Sequence, residues 1–166
     1  MKHTFWNKAA VYGIVLALVS VFFMVIQTVL EPARWLNIVL WIVKLAGTLG
    51  LLFYFMKDFG TGKETYSYAD AFKFGMAVSF CSSIIAAGYY YFHVMFIFPD
   101  TTSQISNAMM MGFEQAGISS GDFNMDKFIA RLPVSQLIYF NILGLIWSSI
   151  LANGAKQKVT TSPFDV

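Results

Sequence analysis

Four long apolar stretches, joined by more polar segments, constrain the fold of this 166-residue chain more than any other feature. They cover residues 9–30, 35–56, 74–98 and 132–152. Each is long enough to cross a bilayer, because a helix spans the roughly 30 Å hydrocarbon core with about 20 mostly apolar residues. Charged residues make up only 12% of the chain, against about 25% in soluble domains. The sequence therefore predicts an all-α, polytopic membrane protein with four transmembrane helices in an antiparallel bundle.

The stretches and their connections occupy almost the whole chain. We therefore expect a single transmembrane domain over residues 1–158, followed by a flexible cytoplasmic tail over residues 159–166. We expect the first stretch to be retained and not cleaved as a signal peptide. Its apolar run exceeds the 7–15 residues usual for signal peptides, and it ends in Glu31-Pro32 instead of small residues.

Basic residues are unevenly divided between the two ends of the predicted bundle. Seven lie in the N-terminal segment, the second connection and the tail, whereas three lie in the first and third connections. Short loops rich in Lys and Arg stay in the cytoplasm. We therefore predict a multi-pass protein of the bacterial inner membrane with cytoplasmic N- and C-termini, with the opposite orientation as the alternative. The net charge is only +2 and the basic residues are dispersed, which gives no support for a nucleic-acid partner.

The second connection carries two signals for helix ends. Gly60 is predicted to end the second helix, because glycine commonly takes the left-handed position after a helix end. Ser67 followed three residues later by Asp70 predicts a capping box for a helix that begins before the membrane.

The third connection, residues 99–131, is too long for a simple turn. Apolar residues from Ile105 to Ala116 recur at helical spacing and predict a short amphipathic helix, which is broken by the glycines of residues 117–121. Asp122 or Asn124 is predicted to cap a second short helix that ends at Arg131. We expect both short helices to lie along the membrane interface.

Lys44 lies near the middle of the second stretch and is the first candidate for a functional residue. An ionised side chain at the centre of a membrane helix costs about 2.5–3.5 kcal/mol, so such residues usually face protein or water. In one interpretation Lys44 binds a substrate or a proton. In the other, which we favour, neighbouring helices satisfy the amine or it extends along its stem towards an interface. Helix rise places Ser20, Tyr89 and Asn141 at similar depth and predicts a polar layer around the amine.

Small residues predict a helix-contact face on the fourth span, where Gly144, Ser148 and Ala152 recur every four residues. Gly13 with Ala17, and Ala46 with Gly50, repeat the spacing on the first two spans. Such faces let membrane helices approach closely, either within the chain or in a dimer.

The remaining residues with reactive or metal-binding side chains occur singly in the sequence. His93 has no second ligand at helical spacing, so an interfacial histidine is favoured over a proton relay or a metal ligand. Cys81 is the only cysteine and fits a packing role. The sequence thus predicts no catalytic, cofactor-binding or metal site and no enzyme activity. Aromatic residues near both ends are interpreted as interface anchors, namely Trp6, Tyr12, Phe53, Tyr54, Phe55, Tyr66, Tyr68, Trp35, Phe96 and Phe98.

The order of several short segments resembles DUF4199, a bacterial family of membrane proteins of unknown function. The segments that carry the resemblance are Phe5-Trp6-Asn7-Lys8 with Gly13, the run from Tyr66 to Phe72 before Gly75, Phe98-Pro99, and the ending from Gly144 to Lys158. The resemblance covers roughly residues 5–158. It implies four spans, and it implies no activity, cofactor or site residue.

Three functions are compatible with these features. The leading hypothesis is an accessory, assembly or scaffold subunit that acts through other membrane proteins, because four helices with one buried charge rarely enclose a solute path. The alternative is a homo-oligomeric transporter or channel with Lys44 lining the path. A membrane-embedded enzyme ranks third. The expected partners are the lipid bilayer and other membrane proteins or copies of this chain.

Overall fold

The computed structural model describes residues 2–30, 33–117 and 125–156 and consists of five α-helices with one turn of π-helix. The helices are α1 (Lys2–Leu30), α2 (Arg34–Gly60), α3 (Tyr68–Phe92), α4 (Asp100–Gln115) and α5 (Met125–Ala155), and the π-helix His93–Ile97 continues α3. Four segments are long and apolar enough to span a membrane, namely Thr4–Leu30, Arg34–Gly60, Tyr68–Ile97 and Lys127–Ala155. The prediction of an all-α chain with four spans is therefore confirmed.

Helix α3 lies at the centre of the bundle. In the most apolar 18-residue segment of each span, 56% of the residues are buried in α3, against 22% in α1 and 11% in both α2 and α5. Its buried side chains are mostly small, which lets α1 and α5 pack closely against it on two sides. Thr28 contacts His93 at one end of the bundle, and Tyr68 contacts Ser149 at the other. Helices α1 and α3 thus run in one direction, and α2 and α5 run in the other.

The bundle has a packed half, where α1 and α3 begin and α2 and α5 end. There the rings of Phe59 and Phe74 stack with centroids 3.8 Å apart, and those of Tyr12 and Phe55 stack at 4.3 Å. Phe5 adds edge-to-face contacts with both Phe59 and Phe74. Several aromatic residues that the sequence suggested as interface anchors therefore belong to the core. The interpretation was wrong for Phe55 and Tyr66, which are buried, because helix ends near the interface also face neighbouring helices.

The connection between α2 and α3 confirms the predicted capping box. The Ser67 hydroxyl accepts a hydrogen bond from the Asp70 backbone N–H at 3.2 Å, and the Asp70 carboxylate accepts one from the Ser67 backbone N–H at 3.3 Å. Helix α2 does end at Gly60, but the left-handed residue is Gly62, with φ +80°. Gly60 is required for a different reason, since a Cβ there would overlap the ring of Tyr66.

The opposite half, nearest the α1–α2 turn, contains the third connection. Helix α4 confirms the predicted amphipathic helix, and Gly117 follows its end with φ +68°. The second short helix is not separate, because α5 begins at Met125 and continues through Pro133 without a break. A proline removes one backbone donor, and membrane helices tolerate this loss. The predicted caps Asp122 and Asn124, like the predicted tail at residues 159–166, lie outside the described residues.

Candidate functional site

A cleft of about 400 Å³ lies between α1, α2, α3 and α5 in the half of the bundle nearest the α1–α2 turn. We call it the α2–α5 cleft and this half the open half. Trp41 of α2 and Tyr139 of α5 line it yet remain 57% and 55% exposed. The cleft is therefore open on one side, between α2 and α5, where the surface of a membrane-embedded bundle faces lipid.

Lys44 projects into this cleft from α2 and is partly buried. The lining contains no Asp, Glu or His residue. The Thr48 hydroxyl, which also lines the cleft, donates to the backbone carbonyls of Lys44 and Leu45 at 2.9 and 3.0 Å. No ion pair involves Lys44 among the described residues. The cleft therefore contains a cationic side chain with no carboxylate partner.

Helix α3 contributes three hydroxyl groups to the cleft. Ser79, Ser82 and Ser83 line the cleft, and the Ser83 hydroxyl donates to the Phe80 carbonyl at 2.8 Å. Sequence reasoning missed these serines. Their i, i+3, i+4 spacing places them on one helix face, and that spacing was the available signal.

The predicted polar layer is brought together in part. Ser20 and Lys44 line the cleft. Asn141 does not line it, but its side-chain N–H donates to Ser83 Oγ at 2.9 Å. Tyr89 points elsewhere, with its ring 5.7 Å from that of His93, and Tyr90 lines the cleft in its place. Helix rise gives the depth of a residue but not the direction in which it faces.

The predicted helix-contact face of α5 lies against α3. Gly144, Ser148 and Ala152 are all buried. A Cβ added at Gly144 would lie 2.5 Å from the Ser79 Cβ, and one added at Gly75 would lie 2.8 Å from Ser148 Oγ. These residues thus serve packing within the chain.

His93 is buried at the open-half end of α3 and begins the π-helix. Its Nε2 lies 2.9 Å from the Thr28 hydroxyl, and its buried Nδ1 has no hydrogen-bond partner. Tyr89 and Phe98 contact the ring. The surroundings are aromatic, and neither Lys44 nor Asp70 joins His93 in a cluster.

The packed half ends in a cation–π contact outside the spans. The ammonium of Lys63 lies 3.3 Å from the centroid of Phe59 and 5.0 Å from that of Tyr66. Burial lowers the pKa of the Lys63 ammonium, and the nearby Asp70 carboxylate acts in the opposite direction. Burial, with a smaller effect of Asp70, raises the pKa of the Tyr66 hydroxyl, which has no hydrogen-bond partner.

The side chains of the α2–α5 cleft determine which kinds of group it can bind. In the described parts of the chain no group of three or more His, Cys, Asp or Glu residues could hold a metal ion. The α2–α5 cleft offers one cation, several hydroxyls and apolar walls. Such a site can bind an anionic or amphiphilic group.

These features define a multi-pass membrane protein built as a four-span helical bundle, with surfaces in contact with the lipid bilayer. Within that class, the chain belongs to the family described as "Protein of unknown function (DUF4199)", whose model matches residues 9–155. No curated protein and no solved structure is detectably similar to it.

Proposed function

We propose that this protein is an accessory or assembly subunit that acts by binding another membrane protein through α2. The supporting observation is an exposed face of small residues on that helix, formed by Ala46, Gly47 and Gly50. A Cβ added at Gly47 or Gly50 would meet no atom within 4 Å. We call these three residues the α2 stripe.

The α2 stripe differs from the other small-residue faces of the chain. At Gly13 of α1 an added Cβ would lie 2.5 Å from the Cys81 Cβ, and Gly144 of α5 is equally close to Ser79. Helix α3 covers both of those faces. Because small residues let membrane helices approach closely, the exposed α2 stripe is suited to a helix from another chain.

A solute pathway within a single chain receives less support. The stacked rings of Phe59, Phe74, Tyr12 and Phe55 fill the packed half, below the α2–α5 cleft. The position of Lys44 in the cleft favours one alternative, a homo-oligomeric transporter or channel in which several chains share a path. We also infer that the protein is not an enzyme, because Lys44, His93 and Asp70 have separate surroundings.

Native mass spectrometry from nanodiscs tests the proposal, with the protein expressed at its natural level. A complex whose mass is not a multiple of 18.6 kDa is expected, and Gly50→Leu is expected to dissociate it. Gly88→Leu is the matched control, because Gly88 is exposed on α3 and an added Cβ there also meets nothing within 4 Å. A homo-oligomer would instead favour the transporter or channel. A monomer, or a complex unaffected by Gly50→Leu, would contradict binding through α2.

We further propose that the protein lies in the bacterial inner membrane with both termini in the cytoplasm. The bias of Lys and Arg towards the packed half supports this orientation. A membrane-impermeant maleimide applied to spheroplasts is expected to label Ser103→Cys in α4 but not Thr61→Cys after α2, both of which are exposed positions. The reverse pattern would require the opposite orientation.

A further inference from the structure

We infer that the α2–α5 cleft binds a fatty acid from the bilayer, with its carboxyl group at Lys44 and its chain along the apolar walls. The cleft and the α2 stripe lie on opposite sides of α2, so this inference does not depend on the proposed assembly role. Its first support is charge complementarity, because Lys44 is the cation of a lining that contains no acidic residue.

The position of the cleft determines which molecules can reach it. Its open side lies between membrane-spanning helices, so the surrounding lipid supplies the occupant. Its volume of about 400 Å³ falls in the range of small-ligand pockets, roughly 300–1,000 Å³. Towards the packed half the walls include Leu49, Leu52 and Leu143, which suit a hydrocarbon chain.

A polar path leads from Lys44 towards the α1–α2 turn. A neighbouring cavity of about 330 Å³ shares Gln27 and Trp41 with the cleft and also includes Asn37. The Gln27 side chain donates to Asn37 Oδ1 at 2.8 Å. The Cα–Cβ bonds of a helix tilt towards its N-terminus, which for Lys44 is the end nearest this cavity. The polar side chains of Gln27 and Asn37 thus lie between the α1–α2 turn and Lys44, where they suit a polar headgroup.

The depth of Lys44 favours a carboxylic acid over a phospholipid. Lys44 is ten residues from the start of α2, which corresponds to about 15 Å along the helix axis. A phosphodiester stays ionised, so placing it there would bring a permanent charge into the hydrocarbon. A fatty acid can reach this depth as the uncharged acid. Its carboxyl proton then leaves to water, and the resulting carboxylate pairs with the Lys44 ammonium, so that the charge of the pair is zero.

Photolabelling of the full chain in phosphatidylcholine nanodiscs tests the inference. The probe is palmitic acid with a diazirine in its chain, and labelled peptides are mapped by mass spectrometry. Labels are expected on residues lining the cleft, and unlabelled palmitate is expected to compete. Lys44→Met is expected to weaken labelling about tenfold, the scale of one charge-assisted hydrogen bond. Lys57→Met, at an exposed lysine of the same helix, is the control and should label like the wild type.

Two competitors and two further variants keep the test decisive. Hexadecanol or phosphatidylglycerol competing as well as palmitate would overturn the inference, the first by removing the role of charge and the second by identifying a phospholipid. Unchanged labelling of Lys44→Met would also overturn it. Leu49→Trp fills the apolar part of the cleft while keeping Lys44, so it should reduce labelling even if Lys44→Met does not fold. Gly50→Leu, which tests the assembly role, should leave labelling unchanged.

Discussion

The packed half and the open half are formed by the same four helices, yet only one of them is filled. In the packed half, Phe55, Met56 and Gly60 of α2 are buried. In the open half, Trp41 of the same helix is 57% exposed and borders a cleft of about 400 Å³. Aromatic rings stack between the helices in the first case, whereas in the second Trp41, Tyr90 and Tyr139 border the space without filling it.

The contrast between the two halves indicates which residues stabilise the fold and which are free to bind other molecules. Lipid tails are as apolar as leucine, so separating helices in a membrane exposes no apolar surface to water. An open cleft therefore costs mainly lost packing contacts. We expect substitutions in the packed half to change the free energy of unfolding, and substitutions in the open half to change binding.

The largest effect is expected for Phe74→Ala. Phe74 is fully buried and stacks on Phe59, so its loss should lower the free energy of unfolding by about 3–5 kcal/mol. Phe22→Ala is the control at a side chain that is 62% exposed, and it should cost far less. Reversible unfolding in mixed micelles of increasing SDS content measures both. Equal losses for the two variants would mean that the packed half contributes no special stability.

Gly13→Ala is expected to have the next largest effect on the free energy of unfolding. Its Cβ would lie 2.5 Å from the Cys81 Cβ and 3.0 Å from the Val78 carbonyl oxygen. Because backbone atoms cannot move aside, we expect a loss of about 1–3 kcal/mol in the same unfolding assay. Gly88→Ala has open space around it and should gain up to about 1 kcal/mol from helix propensity. A stabilised Gly13→Ala variant would contradict the close α1–α3 contact.

Tyr66→Phe tests how the stability of the packed half depends on pH. Burial raises the pKa of the Tyr66 hydroxyl above its ordinary value of 10.0. The folded state therefore binds more protons than the unfolded state above pH 10, and its stability falls as pH rises. Below pH 10 Tyr66 keeps its proton in both the folded and the unfolded state, and we expect a loss of about 1 kcal/mol between about pH 10 and 11. Tyr66→Phe should lack this component of the loss, whereas Tyr54→Phe, at an exposed tyrosine, should retain it.

Tyr66→Phe should also be more stable than the wild type near neutral pH, because it removes a buried hydroxyl that has no hydrogen-bond partner. The lowered pKa of Lys63 changes stability with pH in the opposite direction. The comparison is therefore made between variants that all keep Lys63. An identical alkaline loss in Tyr66→Phe and the wild type would show that Tyr66 ionises freely when folded.

The sequence predicted the elements of this fold better than their arrangement. Apolar length and capping chemistry are local properties, so four spans and the Ser67–Asp70 capping box could be read from the chain. The direction a side chain faces depends on which helices become neighbours. For this reason Lys44 and Ser20 could be placed at one depth, but Tyr90, and not Tyr89, turned out to line the cleft.

The central position of α3 also escaped prediction, although its composition carried a signal. Its serines and alanines are smaller and more polar than the residues of α1, as expected for a membrane helix surrounded by other helices. Near Pro133 the sequence suggested a helix boundary that the structure does not contain, because a proline usually marks a helix boundary in water. A single-chain pattern could not reveal which small-residue faces α3 would cover, and the exposed α2 stripe emerged only from the assembled bundle.

The smallest predicted effect on the free energy of unfolding comes from a comparison of two lysines, one from each half. Lys63 lies 3.3 Å from the centroid of Phe59, so Lys63→Gln should lower the free energy of unfolding by about 0.5–1 kcal/mol through loss of the cation–π contact. Lys44 has neither an ion pair nor a ring contact among the described residues, so Lys44→Gln should cause no loss. The same SDS titration measures both variants, after delipidation to empty the cleft. A destabilised Lys44→Gln would show that the amine already has a structural partner, and the contrast between the two halves would then not extend to their cations.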